Sequence, residues 1–294
     1  METLSPKSSI SPKPAPATSV NNSRLWRSAA QRNLRNQWSQ MLSFRQQWLS
    51  SSQRGRSHAT SLVNAFLSQK YMPTMELGVL SDLADIRKKA CSKLFKQQEL
   101  HRSKLLSSYK DLVAVVTHMV KTSTSMRCFL KGTSNSPLVQ FSNRSEDKND
   151  AGDGGGIPIF AFWPMTTFEN LAEELVQMFA LELNLKRLLV VELLSLSSEV
   201  PQIKEEFYWS DELYQGEFND LHICDLIPVE TCEPIPPRLK DRKCDMPYVQ
   251  SNHQPNHEIL QVYLTTWLAE VNIDTHRLNE IFTVIGEEMH VALS

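Results

Sequence analysis

The chain has 294 residues, of which 41% are apolar and nine are glycine, and its net charge is −2 at pH 7. This composition predicts one or two domains with a modest helical core and polar attachments. The sequence contains no run of 18 apolar residues and no apolar segment after the first methionine, which argues against a membrane span and a secretory signal.

The charged residues divide the sequence into two unlike halves. Residues 1–131 contain 21 Lys and Arg against 6 Asp and Glu, a net charge of +15. Residues 132–294 contain 10 against 27, a net charge of −17. Charges of this size predict that the two halves attract each other or attract different partners.

Cysteine usage predicts a soluble protein of a reducing, intracellular compartment, because the cysteines are odd in number and form no C-x-x-C pair. An organelle transit peptide is the alternative for the N-terminal region, since residues 3–60 are rich in Ser and Arg and lack acidic residues. Three tryptophans at helical spacing favour retained structure there instead. The cysteines are Cys91, Cys128, Cys224, Cys232 and Cys244.

The N-terminal region begins with a polar segment and continues as helices. Residues 1–22 contain four prolines among Ser, Lys and Thr, which predicts a disordered tail. One helix is predicted from Arg24 to Ser52, with one aromatic face and basic residues on the others, and a second helix from His58 to Gln69. The apolar stripe of the first helix consists of Leu34, Trp38, Met41 and Trp48.

A longer apolar stripe predicts one helix from about Leu77 to Leu130. At 1.5 Å per residue this helix would be on the order of 80 Å long, which is typical of a coiled coil. The stripe weakens at Gln97 and His101, where we expect a break or a partner. Its members are Leu80, Leu83, Ala90, Leu94, Leu105, Tyr109, Leu112, Val116, Met119 and Met126.

A polar, glycine-rich stretch, residues 132–156, predicts a flexible linker before the central helix. The central helix is predicted from Thr167 to about Ser197. The Thr166 hydroxyl is expected to cap its first turn while Glu169 reaches back to the Thr166 amide. The inward positions are Leu171, Leu175, Met178, Leu181, Leu185, Leu188 and Leu189.

The segment from Glu199 to Glu233 contains ten acidic residues and a single basic one, Lys204, interleaved with aromatic residues. It predicts a solvated insertion or, less favoured, a short motif that folds on a partner. Residues 234–255 extend it as a proline-rich loop. Two helices, Asn256–Ala269 and Asp274–Leu293, close the chain as a hairpin, with Asp274 as the cap of the second.

These elements predict an all-α fold, an elongated antiparallel helical bundle or coiled coil with a disordered N-terminal tail and an acidic irregular insertion. The predicted regions are the tail (1–22), a basic helical or coiled-coil region (23–131), a Gly- and Ser-rich linker (132–156), a loop and central helix (157–198), the acidic, Pro-rich insertion (199–255) and the C-terminal hairpin (256–294).

The sequence offers neither a phosphate-binding loop nor a metal site. The run Gly152–Gly156 is followed by Ile157-Pro158 and not by Gly-Lys-Ser/Thr, which favours a linker. His253 and His257 have the spacing of paired ligands, but Pro255 between them breaks the helix that would align them. The gaps between the last three cysteines are too irregular for a zinc knuckle.

Catalytic groups are also missing, so the chain is predicted not to be an enzyme and to need no cofactor or metal. Three glutamates of the central helix, Glu173, Glu174 and Glu182, are explained as partners in intrahelical ion pairs with Lys186 and Arg187. No Ser-His-Asp order, nucleophile elbow or kinase loop is present.

Nucleic-acid binding is the alternative function, because the first predicted helix interleaves arginine with tryptophan. The tryptophans fall on or near the apolar stripe, however, where they would be buried and unable to stack on bases. A helix facing solvent or an acidic partner is therefore favoured. The residues concerned are Arg24, Trp26, Arg27, Arg32, Arg35, Trp38, Arg45, Trp48, Arg54 and Arg56.

Two blocks of the sequence carry a resemblance. Residues 159–168 read IFAFWPMTTF, and the helix that follows contains ELNLKR at 182–187 and Glu192-Leu193. This block resembles the central signature of the cyclin-dependent kinase 2-interacting protein family, a Trp-Pro-x-Thr-x-Phe sequence followed by a Glu-Leu-x-Leu-Lys-Arg core. The segment from Leu264 to Leu293 is similar to the C-terminal helices of that family, whereas residues 199–255 have no counterpart in it.

The resemblance implies a small nuclear adaptor linked to DNA replication. Members of that family are associated with kinases of origin firing, with checkpoint signalling, and with a hexameric AAA ATPase assembly acting in ribosome maturation and replisome turnover. The expected partners are therefore a replication kinase, a checkpoint factor and AAA ATPase subunits. The residues expected to bind partners are Phe162, Trp163, Pro164, Thr166, Phe168, Lys186, Arg187 and Trp267.

Overall fold

The computed structural model describes residues 17–131, 138–141, 151–196, 207–228, 230, 232–240 and 255–293. Six α-helices and one two-stranded sheet form within these ranges, which confirms the predicted all-α bundle with long antiparallel packing. The helices are α1 (Ala17–Tyr71), α2 (Ile86–Ser123), α3 (Met165–Leu194), α4 (Glu217–Ile223), α5 (His257–Ala269) and α6 (Thr275–Met289). The strands are β1 (Cys128–Lys131) and β2 (Leu138–Phe141). None of the helices in these ranges combines the length and apolar content needed to cross a membrane.

Helix α1 is one continuous helix of 55 residues, where the sequence predicted two. The two predictions were separated by a polar stretch around Gly55 that lacks an apolar stripe. Gly55 lies inside this helix, where the Trp267 ring of α5 packs against it, and an added Cβ would lie 2.5 Å from Trp267 Cζ2. The helix also begins inside the predicted tail, at Ala17; residues 1–16 lie outside the described ranges.

Helix α2 runs antiparallel to α1 and is shorter than predicted, beginning at Ile86 and ending at Ser123. Its 38 residues correspond to about 57 Å. Asp85, just before it, adopts a left-handed conformation with φ 60°, and a turn of 3-10 helix at Gly78–Leu80 occupies part of the predicted helix. At the other end β1 replaces the helix, because its backbone pairs with β2.

A β-hairpin and a packed glycine run occupy part of the predicted linker. β1 pairs with β2 in antiparallel register, with Cys128 opposite Phe141. Gly152 and Gly154 lie against the rings of Phe129 and Trp26, and an added Cβ at either glycine would lie 2.4 Å from a ring carbon. The flexible-linker prediction is therefore wrong for Gly152 and Gly154, where the close approach of a ring leaves no room for a side chain.

Helix α3 is the central element, and 17 of its 30 residues are buried. It runs antiparallel to α2. Near its start Glu169 forms an ion pair with Arg127, and just after its end the Leu196 carbonyl accepts a hydrogen bond from Arg102. We call the region in which α3 covers the α1–α2 pair the body. The segment 60–100, which lies beyond the reach of α3, is called the tip.

The acidic segment packs onto the body over residues 207–228. Helix α4 contacts α2, and within this segment Leu213, Glu217, Leu221 and Leu226 are buried. The prediction of a solvated insertion is therefore wrong over 207–228, whereas residues 199–206 lie outside the described ranges. Residues 232–240 have no regular secondary structure, as predicted.

Two helices form near the C-terminus as predicted, but α5 and α6 pack mainly against α1 and α3 and not against each other as a hairpin would. Asp274 caps α6 as predicted, because its Oδ1 accepts the Arg277 backbone N–H at 3.0 Å, a bond that lowers the pKa of Asp274. Asn256 caps α5 in the same way, accepting the Ile259 N–H at 2.9 Å. Both caps satisfy amides that would otherwise lack partners at the first turn of a helix.

Candidate functional site

The start of α3 differs from the predicted capping box. The helix begins at Met165 with Pro164 at the N-cap, and no side chain caps it. Thr166 is exposed, and Glu169 binds Arg127 through two hydrogen bonds of 2.7 and 3.0 Å. A bidentate guanidinium–carboxylate pair is stronger than the bond to the Thr166 amide, so Glu169 is drawn to Arg127, whose pKa it raises.

The loop before α3, residues 159–164, is held by the carboxylate of Glu288 on α6. Glu288 Oε1 accepts three consecutive backbone N–H groups, those of Ala161 at 3.0 Å, Phe162 at 2.7 Å and Trp163 at 2.9 Å. Successive N–H groups that converge in this way form a concave anion site, which the carboxylate fills. Hydrogen bonds to an ionised acceptor contribute about 1.5–3 kcal/mol each, so this loop is firmly fixed.

The carbonyls of the same loop are bound by α1. Arg27 Nε donates to Ile159 O at 2.8 Å, Gln31 Nε2 donates to the same oxygen at 2.7 Å, and Arg27 Nη2 donates to Phe160 O. The Ile159 N–H also bonds to Trp163 O at 2.9 Å across the base of the loop. Contacts with α1 and α6 therefore fix the backbone of the loop from two sides.

The aromatic side chains of the loop point in opposite directions. Phe160 is buried, Trp163 is half-buried, and both rings pack against Phe168 of α3 at centroid distances of 5.8 and 5.6 Å. Phe162, between them, is 79% exposed. A large apolar side chain held in water on a fixed backbone is the candidate docking feature of this site.

The other residues predicted to bind partners fall into two groups, one at the surface and one buried. Trp163 and Pro164 are half-buried and Thr166 is exposed, so these three adjoin Phe162 at the surface. Phe168, Lys186, Arg187 and Trp267 are buried in the body and present no docking surface. Residues predicted to bind partners can thus lie in the interior, and their position along the chain does not separate the exposed ones from the buried ones.

Lys186 is a buried cation with several partners. Its Nζ donates to the Trp267 carbonyl at 2.7 Å and lies 4.8 Å from the centroid of the Trp267 ring. Carboxylate oxygens of Glu182 and Glu270 lie 3.2 and 3.6 Å from Nζ. Glu182 Oε1 is close enough for an ion pair but lacks hydrogen-bond geometry. Burial raises the pKa of Glu182, and the charge of Lys186 partly offsets that rise.

Arg187 joins the acidic segment to α3. Its guanidinium binds Glu217 of α4 at 2.9 Å and donates to the carbonyls of Trp209 at 2.7 Å and Asp211 at 2.6 Å. The Tyr109 hydroxyl of α2 donates to the same Glu217 at 2.7 Å. Burial, followed by the negative charge of Glu217, holds the pKa of Tyr109 well above its usual range.

The predicted intrahelical ion pairs are only partly confirmed. Glu182 and Lys186 form the expected i,i+4 pair, but inside the body and not on a surface. Glu174 binds Arg277 of α6 at 2.8 Å, which lowers the pKa of Glu174. Glu173 is exposed. The ion-pair partners of the charged side chains on α3 are therefore decided mainly by which residues of α4 and α6 lie against them, and not by spacing along the helix.

Two of the described cysteines, Cys128 and Cys224, are buried thiols that are poorly suited to nucleophilic chemistry. Burial raises the pKa of the Cys128 thiol to about 12 and that of Cys224 to about 11, so both are protonated at neutral pH. Cys244 and His253 lie outside the described residues. In the described ranges no group of three His, Cys, Asp or Glu side chains is placed to hold a metal ion.

The tryptophans of α1 are buried, as predicted from the apolar stripe. Trp26 is 3% exposed, and Trp38 and Trp48 are fully buried. None of them is available to stack on a base. Six arginines of this helix are exposed, and three of them, Arg27, Arg35 and Arg54, donate hydrogen bonds to other elements. The other three are Arg24, Arg32 and Arg56.

Sequence reasoning missed the residues that hold the loop and the body together. Glu288, Arg27 and Gln31 fix the loop from positions more than 120 residues away, and Glu217 is the buried partner of Arg187. One signal pointed to Glu217, since acidic residues interleaved with aromatic ones are typical of a segment that folds against a surface. Nothing in the sequence marked Glu288.

The chain was compared with known families and with curated proteins. No protein-family model matches it, and no curated protein matches it.

Proposed function

We propose that this protein is a non-catalytic adaptor subunit of nuclear multiprotein assemblies, which docks a partner through Phe162. The partners proposed are a replication kinase, a checkpoint factor or the subunits of a hexameric AAA ATPase. Its role would then lie in DNA replication and checkpoint signalling, or in ribosome maturation and replisome turnover. The nucleus is the proposed location.

One observation carries the docking part of the proposal. Phe162 is 79% exposed, although its own amide and those of both neighbours are bound to Glu288. An exposed aromatic residue on a flexible loop would lose conformational entropy on binding, whereas here the backbone is already ordered. Aromatic anchors of this kind often dominate the energy of a protein interface.

The partner classes rest on the resemblance of residues 159–193 and 264–293 to the cyclin-dependent kinase 2-interacting protein family. The charge distribution is consistent with several partners, since the net charges of residues 1–131 and 132–294 are +15 and −17. Such a molecule can attract basic and acidic partners at different places.

Affinity purification of the tagged full chain from its native cells tests the proposal. We expect AAA ATPase subunits or a replication kinase to be recovered, and Phe162→Ser to lower that recovery about tenfold. Because Phe162 is largely exposed, the same substitution should leave the melting temperature unchanged.

Val262→Ser is the matched control, because Val262 is another exposed apolar residue, on α5 and away from the loop. It should leave recovery unchanged. Equal recovery with Phe162→Ser would contradict docking through this residue. Recovery of neither partner class with the unmodified chain would contradict the adaptor proposal as a whole.

Nucleic-acid binding through α1 is the second candidate. Helix α1 contains seven Arg and one Lys and no acidic residue, and Arg24, Arg32 and Arg56 are exposed. Binding to random duplex DNA that weakens steeply between ~50 and ~200 mM salt, and that is lost in Arg24→Gln/Arg32→Gln/Arg56→Gln, would favour this function. Absent or salt-independent binding would exclude it.

A further inference from the structure

Two histidines meet between α1 and α2 at the junction of the body and the tip. His58 of α1 and His101 of α2 have ring centroids 5.7 Å apart, and their ring planes are tilted by 35°. The two residues are far apart in the sequence, so motif spacing does not reveal them, whereas it singled out His253 and His257. Paired imidazoles on two packed helices are a candidate site for a metal ion.

Neither imidazole has a hydrogen-bond partner among the described residues. His101 Nδ1 is buried and bonds to no other group in the described part of the chain. His58 likewise forms no hydrogen bond or ion pair with a described residue. Buried polar atoms are nearly always bonded to protein, to water or to an ion, so an unpartnered ring nitrogen in the interior indicates a ligand.

The protonation state of the two rings also suits a metal ligand. A metal ion binds the neutral imidazole, because the protonated ring has no free lone pair. Burial, and after it the charge of Lys104, lowers the pKa of both histidines from the ordinary value of 6.5, and His101 and Arg54 add to the shift of His58. Both side chains are half-buried, so an ion and its water ligands can reach them from solvent.

The spacing of the rings is close to that required by one ion. Zinc binds an imidazole nitrogen at about 2.0–2.1 Å, so the ion lies roughly 3.2 Å from the centre of each ring. Two rings on one tetrahedral ion therefore have centres about 5.2 Å apart, roughly half an ångström less than the 5.7 Å between His58 and His101. The last torsion of a histidine side chain is soft, so both rings can turn one nitrogen towards a common ion.

We propose that His58 and His101 bind one divalent transition-metal ion, of the class that prefers imidazole, with water as the remaining ligands. Zn²⁺, Ni²⁺ and Cu²⁺ belong to this class, whereas Mg²⁺ and Ca²⁺ prefer oxygen ligands. Two protein ligands make a weaker site than the three or four of a permanent zinc site, so the ion is exchangeable. It links α1 to α2 at the start of the tip, independently of the Phe162 loop.

The cations beside the pair oppose this binding and provide a test of where the ion lies. Arg54 is paired with Asp111 at 2.9 Å, which offsets its charge. Lys104 is exposed and forms no ion pair with a described carboxylate, so its charge repels the ion. Lys104→Gln should therefore tighten metal binding about threefold, an effect that a purely structural role of the lysine would not produce.

The experiment uses the full chain, stripped of metal with a chelator and titrated with Zn²⁺, Ni²⁺ or Mg²⁺ at neutral pH. In NMR spectra of histidine-labelled protein, Zn²⁺ should shift the ring signals of His58 and His101 together, Ni²⁺ should broaden them, and Mg²⁺ should do neither. Calorimetry should show that His58→Gln and His101→Gln each weaken Zn²⁺ binding at least about tenfold, since even loss of a second-shell partner typically costs about 10–100-fold.

His276→Gln is the matched control, because His276 is an exposed histidine of α6. It should leave the affinity for Zn²⁺ unchanged. Other groups of the chain, thiols included, also bind zinc, but every variant retains them, so their contribution cancels in the comparison. Without metal, His58→Gln/His101→Gln should keep the circular dichroism of the parent chain, and Zn²⁺ should raise the melting temperature of the parent chain more than that of this variant.

Three outcomes would overturn the proposal. The first is that Zn²⁺ leaves the ring signals of His58 and His101 unshifted, or shifts them no more than those of the exposed histidines. The second is equal affinity of the parent chain and His58→Gln/His101→Gln, which would assign the binding to other groups. The third is unchanged or weaker binding in Lys104→Gln, which would place the ion away from the pair.

Discussion

The body and the tip are built from the same two helices, yet their side chains lie in different environments. In the body the stripe residues Tyr109, Leu112 and Val116 are fully buried, because α3 and α4 cover the α1–α2 pair. In the tip the stripe residues of α2, Ala90 and Leu94, are only half-buried, and Leu80 and Leu83 lie in the connection between α1 and α2, where they are exposed. Apolar periodicity therefore identifies the face of a helix that favours burial, but a third element decides whether that face is buried.

The body also differs in the charge that it buries. Lys186 and Arg187 are adjacent and fully buried there, each with a carboxylate partner, whereas the lysines of the tip are all exposed. Buried ion pairs contribute little net stability but are costly to break, because one uncompensated charge remains. Substitutions in the body should therefore have large effects on folding, and substitutions in the tip should have smaller ones.

Breaking the buried pair of the body should have the largest effect. Arg187→Met leaves Glu217 buried without its cation, so we expect the free energy of unfolding to fall by about 3–5 kcal/mol in urea denaturation. The double variant Arg187→Met/Glu217→Leu removes both charges and should cost less than the single one. A single variant with unchanged stability would show that the segment 207–228 does not need this pair.

A matched pair of leucines on α2 compares the two regions directly. Leu112 is fully buried in the body, and Leu94 is half-buried in the tip. We expect Leu112→Ala to cost about 3 kcal/mol and Leu94→Ala about 1 kcal/mol, since the lost contacts and the cavity are larger in the body. Equal costs in urea denaturation would show that the tip is packed as tightly as the body.

Close packing between α1 and α5 should be sensitive to one methyl group. Gly55→Ala places a Cβ 2.5 Å from the Trp267 ring, so we expect a loss of about 1–2 kcal/mol, although alanine favours the helix. Ser57→Ala, at an exposed position two residues later, is the control and should be neutral. A stabilised Gly55→Ala variant would show that Trp267 moves aside at no cost.

The same comparison shows how far the sequence could specify the fold. The presence of helices α5 and α6, the Asp274 cap and the buried tryptophans of α1 were predictable, because periodicity and capping are local signals. The close packing of Trp267 against Gly55 was not, since the two residues are more than 200 positions apart. The Thr166 cap failed for the same reason, because Arg127 offers Glu169 a stronger partner.

The candidate site was only partly predictable. The Trp-Pro sequence located the loop, but it did not separate exposed Phe162 from buried Phe168 or Trp267. That separation depends on Glu288 and Arg27, which hold the loop from α6 and α1. The incomplete burial of Ala90 and Leu94 could not be predicted from the stripe, because a sequence does not show where α3 ends relative to α2.

The smallest predicted effect lies at the junction of body and tip, where His58 of α1 and His101 of α2 face each other with ring centroids 5.7 Å apart. Burial lowers the pKa of both histidines, and Lys104 adds to the shift of each, while His101 and Arg54 add to that of His58. The unfolded chain therefore takes up protons near the ordinary value of 6.5 before the folded chain does. Stability should fall as the pH drops through that value, by less than about 1 kcal/mol because both rings are partly exposed and screened.

Melting temperatures measured from about pH 8 to about pH 5 should fall less in His58→Gln/His101→Gln than in the parent chain. The difference between the two curves removes contributions common to both, such as that of Glu182, whose raised pKa acts in the opposite direction. Parallel curves would show that protonation of these histidines does not weaken the junction.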